Sequence, residues 1–326
     1  MPSLPQFADI LSAAEQLDGK SIMTPVLSSP EINRLAGCEV LIKCENLQHI
    51  GAFKFRGAYN AISRLSVEQK ERGVIAYSSG NHAQAVAYVC HLLGVPATIV
   101  MPDNAPKRKL EGTRRFNPKI VLYNPDTETR ESVAEALNPD GALTLIPPFN
   151  HPDILTGQGT SALELHQAHP DLKAILVPCG GAGLLSGSAL ATKGVNRNCQ
   201  VIGVEPELAD DATQSFQSGQ IVSIDYPNTI ADGTRTLSVG DITFALMQQH
   251  VDDMWLVSES QIMEAVKLLF NELKQVVEPS GALGLAALLS KAADKVFAPT
   301  DKVGVIISGG NIDPETLCNI MRHEST

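Results

Sequence analysis

The stretch Ala174-Ile175-Leu176-Val177-Pro178-Cys179-Gly180-Gly181-Ala182-Gly183-Leu184-Leu185-Ser186-Gly187 decides the fold. A continuous apolar run reads as a buried strand, the glycines as a turn, and the residues from 184 to 193 as a helix with apolar spacing. Strand, turn and helix in that order form half of a βαβ unit. Working outward, the same alternation recurs. Strands are expected at 40–43, 74–77, 97–101, 120–123, 201–204 and 303–307, and helices at 83–93, 132–137, 161–169, 259–273 and 283–292. This pattern predicts an α/β fold of parallel βαβ units. The strands are apolar almost throughout, as when helices cover both faces of a sheet. The clearest break in composition is 145–153, with Pro147, Pro148 and Pro152.

The chain has 326 residues, 44% hydrophobic and 19% charged, with a formal net charge of −11. That length suggests two domains at roughly 150 residues each, and its apolar content excludes a disordered chain. The acidic balance excludes a generic nucleic-acid binder, which needs a clustered basic face. No apolar run approaches the ~20 residues needed to span a bilayer. No basic-then-apolar leader opens the chain, so neither membrane nor nucleic acid is expected as a partner, and a cytoplasmic location is. The six cysteines form no C-x-x-C pair and the eight histidines are scattered, which makes reduced thiols the simplest reading and disfavours zinc.

Ligands of open α/β sheets bind beyond the carboxyl ends of strands, and three small-residue turns stand at such ends. The first is the one quoted above. A dinucleotide fingerprint would need Gly or Ala where Ser186 stands, and no Gly-Lys-Ser/Thr follows, so neither a dinucleotide site nor a P-loop is read. A cradle for one phosphate remains, against a turn needed only for close helix packing. The second turn, Ser78-Ser79-Gly80-Asn81-His82, gathers hydroxyls, an amide and helix N-terminal N–H groups, which suit a carboxylate or merely cap the helix. The third, Ser308-Gly309-Gly310-Asn311, is by itself only a turn. Lys54 lies between Phe53 and Phe55. Most lysines are solvated surface charges, but an apolar setting lowers an ammonium pKa and frees the amine as a nucleophile. A phosphate cradle plus a nucleophilic lysine is the combination expected of a pyridoxal phosphate enzyme.

The motifs Glu45-Asn46-Leu47-Gln48, Lys54, Ser78-Ser79-Gly80-Asn81-His82, Gly157-Gln158-Gly159-Thr160, Gly180 to Gly187, Glu205-Pro206, Ala231-Asp232-Gly233, Glu278-Pro279-Ser280 and Ser308 to Asn311 span nearly the whole chain. In this order they resemble the fold-type II (tryptophan synthase β-like) pyridoxal phosphate enzymes. Within these, the likeness is to the serine/threonine dehydratase and serine racemase group, nearest in look to threo-3-hydroxyaspartate ammonia-lyases and serine racemases. The resemblance implies two open, twisted, mostly parallel sheets covered by helices. It implies a large cofactor-binding domain over 1–52 and 146–326, a small mobile domain over 53–145, and a homodimer. It implies that Lys54 carries pyridoxal 5'-phosphate and takes the substrate α-proton. Gly180, Gly181, Ala182, Gly183 and Leu184 would bind the phosphate, Asn81 the ring hydroxyl and Ser308 the ring nitrogen, with Phe53 beside the ring. Ser78, Ser79, Gly80, Asn81 and His82 would hold the substrate carboxylate. The family usually has Gly where this chain has Ala182.

The same resemblance implies α,β-elimination of a β-hydroxy amino acid, threo-3-hydroxyaspartate, serine or threonine, to a 2-oxo acid and ammonia. A neutral Ser308 suits this better than a carboxylate would, because it leaves the ring a weaker electron sink. Ser79 corresponds to the racemase residue on the face opposite the lysine, so serine racemase with elimination as a side activity is the alternative. A non-catalytic amino-acid-binding relative is the outside reading, and the presence of Lys54 opposes it. Arg130 reads from its neighbours as a surface residue paired with Glu128 or Glu131, whereas the resemblance places it by the substrate side chain, where its fork would bind a second carboxylate. Glu205, Ala209 and Asp211 read as an acidic loop by spacing and as a Mg²⁺ or Ca²⁺ site by resemblance. The chain stops about 15 residues after Asn311, so an isoleucine-sensing regulatory domain is not expected.

Overall fold

The computed structural model describes residues 4–78, 80–105 and 107–323. Among these, ten strands form two sheets: β1 (Val26–Leu27), β2 (Glu39–Cys44), β3 (Val74–Tyr77), β4 (Ala97–Pro102), β5 (Lys119–Tyr123), β6 (Thr144–Leu145), β7 (Ala174–Pro178), β8 (Gln200–Pro206), β9 (Asp253–Val257) and β10 (Lys302–Ile307). The larger sheet has the order β1-β2-β10-β7-β8-β9 and is parallel except for β1; the smaller is β5-β4-β3-β6, all parallel. The seven expected strands are all present, extended by at most two residues at an end.

The strand order explains where a site can form. The last strand, β10, pairs on one side with β2, Ile307 opposite Cys44, and on the other with β7, Val305 opposite Leu176. Strands from both ends of the chain thus share one carboxyl edge. The turns after β2, β7 and β10 meet there, as ligand sites of parallel sheets do. Alternation within β10 sends Val303, Val305 and Ile307 into one apolar cluster and Ile306 into the other, as the two-residue strand period requires. Helices cover both faces.

Two helices frame that edge. Pro152–Ala168 begins with Pro152 in its first turn, and its N-cap His151 accepts from the Asp153 amide. Its glycines let the helix Lys54–Ser63 lie against it: a Cβ at Gly157 would sit 2.6 Å from the Arg56 carbonyl oxygen, and one at Gly57 2.7 Å from that of Ile154. The same crossing buries ions. The Arg56 guanidinium, wholly buried, bonds Glu45 at 2.8 Å and Glu164 at 2.6 Å, and Lys43 bonds Glu164 at 2.5 Å. Each buried charge has an opposite partner, which such burial demands. These bonds tie the end of β2 and both helices into one unit just beyond Lys54.

Candidate active site

Lys54 is the first residue of its helix, and the segment before it is strapped to the end of β10. The Phe53 amide donates to Ser308 O at 3.0 Å, the Gly310 amide donates to Gly51 O at 2.9 Å, and Ala52 bridges Gly309. Ile50 and Gly51 both have left-handed backbone, with φ of 59° and 75°. For a β-branched residue such as Ile50 this conformation is costly and persists only where surroundings enforce it. Lys54 Nζ donates to Pro148 O at 2.6 Å and lies 4.9 Å from the Phe53 ring centre. Its amine end lies deep although part of the residue meets the surface, and burial lowers its pKa to about 7. A neutral amine, the nucleophilic form, is therefore accessible near neutrality.

The quoted turn reaches the same place through Gln158, whose Nε2 donates to Pro148 O at 3.4 Å, and its glycines are needed for close approach. A Cβ at Gly183 would meet Gln158 Oε1 at 2.7 Å, and Gly181 faces the Phe149 ring. Ala182 caps the following helix, Gly183–Val195, at φ 62°. This explains why glycine is favoured at that position, since an L-residue there carries a penalty of ~1 kcal/mol. The amides of Gly180, Gly181, Gly183 and Leu184 have no partner among the described residues. Gln158 Oε1 is buried and unpaired. Free amides converging at a helix N-terminus form an anion cradle. With a lowered lysine on the same Pro148 carbonyl as Gln158, these residues fit a cofactor that carries both a phosphate and a carbonyl.

The turn after β3 supplies the third wall. Ser78 Oγ accepts from the Gly80 amide at 3.2 Å, and the helix Asn81–Leu93 begins next; Ser79 lies outside the described residues. His82 Nε2 lies 2.8 Å from Ile146 O, which can only accept, so the proton is on Nε2. Burial, with Lys54 adding to it, lowers this imidazole to about 3. Because the ring's N–H is already committed, only the backbone amide of His82 remains to hold a carboxylate. Ser308, at the end of β10, is buried and donates to Ser280 O at 3.4 Å. Asn81 is bonded to Glu278 and Asn311.

Arg130 begins the helix Arg130–Leu137. It bonds Glu131 at 2.7 Å and stacks 5.3 Å from the Tyr77 ring centre. It thus has the surface partner its neighbours offered, yet Tyr77 directly precedes Ser78. Glu205, near the end of β8, and Asp211, the first residue of the helix Asp211–Ser218, lie close enough to act on each other. Glu205 accepts from the Ala212 and Thr213 amides and the Thr213 hydroxyl, while Asp211 Oδ2 is buried without a partner. Burial pushes Asp211 up to about 7, and burial plus the Asp211 charge drives Glu205 well above its usual range. Ala209 is buried beside them. Two crowded carboxylates and an orphan oxygen fit a hard cation. Among the described residues no cluster of three or more His, Cys, Asp and Glu side chains could hold one, so any metal would need carbonyl or water ligands.

Sequence reasoning held Gln158 and Glu278 only as members of motifs, with no role, and it had no sign of Lys109, which pairs with Asp232. The proline-rich break at 145–153 was the one signal for Pro148.

A family model described as pyridoxal-phosphate dependent enzyme matches residues 19–309. The chain belongs to that family. It is 47% identical over 310 residues to an L-threo-3-hydroxyaspartate ammonia-lyase of Saccharomyces cerevisiae, covering 95% of this chain and 94% of that one. A protein of the same description from a Pseudomonas species is 45% identical, covering 98% and 99%. The structure of maize serine racemase superposes with a TM-score of 0.92 at 40% identity, covering 98% and 97%. The expected fold-type II architecture is therefore borne out, and this enzyme's cofactor is pyridoxal phosphate.

Proposed function

We propose that this enzyme is an ammonia-lyase that dehydrates threo-3-hydroxyaspartate to oxaloacetate and ammonia, with serine and threonine as poorer substrates. The observation that carries the reading is Lys54, a buried amine with a pKa of about 7 bonded to Pro148 O, which Gln158 beside the glycine turn also bonds, where four backbone amides have no partner among the described residues. The choice of substrate rests on the two hydroxyaspartate lyases at 47% and 45% identity.

Pyridoxal phosphate, when bound, supplies an electron-withdrawing ring that stabilises negative charge on the substrate α-carbon. The chain's residues do the rest. The amides of Gly180, Gly181, Ala182, Gly183 and Leu184 hold the phosphate, Asn81 the ring hydroxyl, Ser308 the ring nitrogen, and Phe53 packs nearby. Ser78, Ser79, Gly80, Asn81 and His82 orient the α-carboxylate, the last through its backbone. Lys54 Nζ removes the α-proton. The electron pair of that C–H bond forms the Cα–Cβ double bond, the Cβ–O bond breaks, and the hydroxyl leaves as water with the proton that Lys54 Nζ took, which returns the amine to its neutral form. The freed enamine takes up water to give the 2-oxo acid and ammonia. Arg130 exchanges Glu131 for the substrate's second carboxylate, which selects hydroxyaspartate. Ser79 serves as the opposite-face proton donor for a racemase side activity.

The reading extends to a Mg²⁺ or Ca²⁺ ion held by Glu205, the Ala209 carbonyl and Asp211. The orphan Asp211 oxygen supports this. It also includes a small domain over 53–145 that closes on the large one, and a homodimer acting in the cytoplasm. Exposed Ile22, Met23 and Leu47, brought together by the Ile22–Gln48 bonds, would be covered in such a dimer.

The test is a substrate panel. Holoenzyme is assayed for ammonia and 2-oxo acid from each hydroxyaspartate stereoisomer, serine and threonine. The highest kcat/KM is expected for a threo isomer, and Arg130→Ala should lower it far more than for serine. Equal losses on both substrates would sink the selectivity claim, and a higher value for racemisation than for any elimination would reverse the assignment.

A further inference from the structure

Four polar groups from four separate segments form one hydrogen-bonded chain beside Lys54. Asn311 Nδ2 donates to Ile50 O at 2.8 Å and to Asn81 Oδ1 at 2.8 Å, and Asn81 Nδ2 donates to Glu278 Oε1 at 2.7 Å. The direction of these bonds is not arbitrary. A backbone carbonyl can only accept, so Ile50 O dictates that Asn311 turns its amino group this way. That amino group then requires Asn81 to present its oxygen, which leaves the Asn81 amino group facing Glu278, whose oxygen accepts. Both Asn311 N–H bonds are used, whereas Asn81 keeps one N–H with no partner among the described residues. The chain starts at a strained point, the left-handed Ile50 four residues before Lys54. Strain of this kind marks a conformation that its surroundings enforce.

We infer that Ile50, Asn311 and Glu278 form a polarised relay that fixes the Asn81 amide in one of its two flip states, with one N–H free to donate to the cofactor's ring oxygen. Glu278 and Asn311 are then positioning residues acting through Asn81. The inference rests on the proposed contact between Asn81 and the ring hydroxyl, and it adds what orients that contact. A freely flipping amide would present its oxygen part of the time and repel an oxygen anion on the ring.

Glu278 also makes the relay responsive to pH. It is buried, and burial together with the Asp232 carboxylate pushes it up to about 7, against the opposing pull of Lys109 and of the Asn81 bond. Asp232 and Lys109 are the charged groups that act on it, and they pair with each other. Above its midpoint the ionised carboxylate can only accept and holds Asn81 firmly. Below it, the protonated carboxyl can donate as well, and the preference weakens.

The test compares three isosteric or truncating variants with wild-type holoenzyme: Asn81→Ala, Asn311→Asp and Glu278→Gln. Each is followed by the dissociation constant of pyridoxal phosphate from apoenzyme, the absorption spectrum of bound cofactor from pH 5.5 to 9, and Tm. Asn81→Ala should weaken cofactor binding at least tenfold. Asn311→Asp, which replaces the donor by an acceptor, should reproduce most of that loss. Glu278→Gln, an amide that does not titrate, should keep Tm within a few degrees and abolish the spectral transition near pH 7. If Asn81→Ala alters binding and spectrum while the other two match wild type, the relay is refuted and the Asn81 contact stands. If Asn81→Ala itself is silent, the contact is refuted and the relay has nothing to orient.

Discussion

Gly157→Ala is a one-methyl change that should cost both stability and catalysis. A Cβ at Gly157 would lie 2.6 Å from Arg56 O, 2.8 Å from Gly57 Cα and 2.9 Å from Asn60 Cβ. Ordinary contact begins near 3.4 Å, so the helix Lys54–Ser63 would have to retreat by about 0.8 Å. No rotamer change relieves this, because the nearest atoms are backbone. Arg56 resists the shift, since Glu45 and Glu164 hold its guanidinium. Overpacking of this kind costs ~1–3 kcal/mol. Lys54 is two residues from Arg56 and would be carried off Pro148 O. A displacement on the order of 1 Å at a reacting group can cost about 100-fold in rate. Thermal unfolding of apoenzyme and kcat on hydroxyaspartate are the assays. We expect Tm to fall by several degrees, kcat by about tenfold or more, and Gly57→Ala to behave alike. Wild-type Tm and kcat in Gly157→Ala would refute the claim that this glycine sets the position of Lys54.

Other outcomes follow from single residues. Ala182→Gly removes an L-residue from left-handed backbone, so it should raise Tm or leave it unchanged and should not weaken cofactor binding; a clear fall in both would contradict the strain. In apoenzyme, Lys54 should be reductively methylated with a midpoint near pH 7. At that pH about half of its amines would be neutral, against roughly one in three thousand for an ordinary lysine. Because the folded-state value is depressed, Lys54 stabilises apoenzyme most above pH 10.5, and this is lost as pH falls to about 7. A labelling midpoint above pH 9, read by mass mapping, would count against an activated amine. Chelation should lower Tm and added Mg²⁺ or Ca²⁺ restore it, more strongly above pH 7, where Asp211 is ionised; a Tm indifferent to both would remove the cation from the account.

Much of the fold was legible because fully buried parallel strands read as continuous apolar runs, which is why β7 and β10 stood out. Less legible was the helix Lys54–Ser63. Its apolar Phe55, Ala58, Tyr59 and Ile62 do fall at helical spacing, but Gly57 weakens the helix signal, and Arg56 and Asn60 are buried with the rest, which residue type alone does not announce. The edge strands β1 and β6, two residues each, were too short to read, and β9 is a short edge strand with charged Asp253 and half-buried Trp255. The candidate site divides the same way. Its glycine turns and lysine are local patterns, visible without a structure. Pro148, Glu278 and Asn311 act through contacts across 94, 197 and 230 positions of chain, which no local pattern encodes. The net charge of −11 was a poor guide to the ligand, since the proposed anion site rests on unpaired amides and one lysine rather than on the overall field.

The most direct test of the central claim is reduction of the holoenzyme with borohydride, followed by peptide mapping. The account predicts a yellow protein whose visible absorption bleaches on reduction, with a single pyridoxyl group on the peptide containing Lys54 and none in Lys54→Ala. A colourless protein that gains neither colour nor lyase activity with added pyridoxal phosphate, or a label on another lysine, would contradict it.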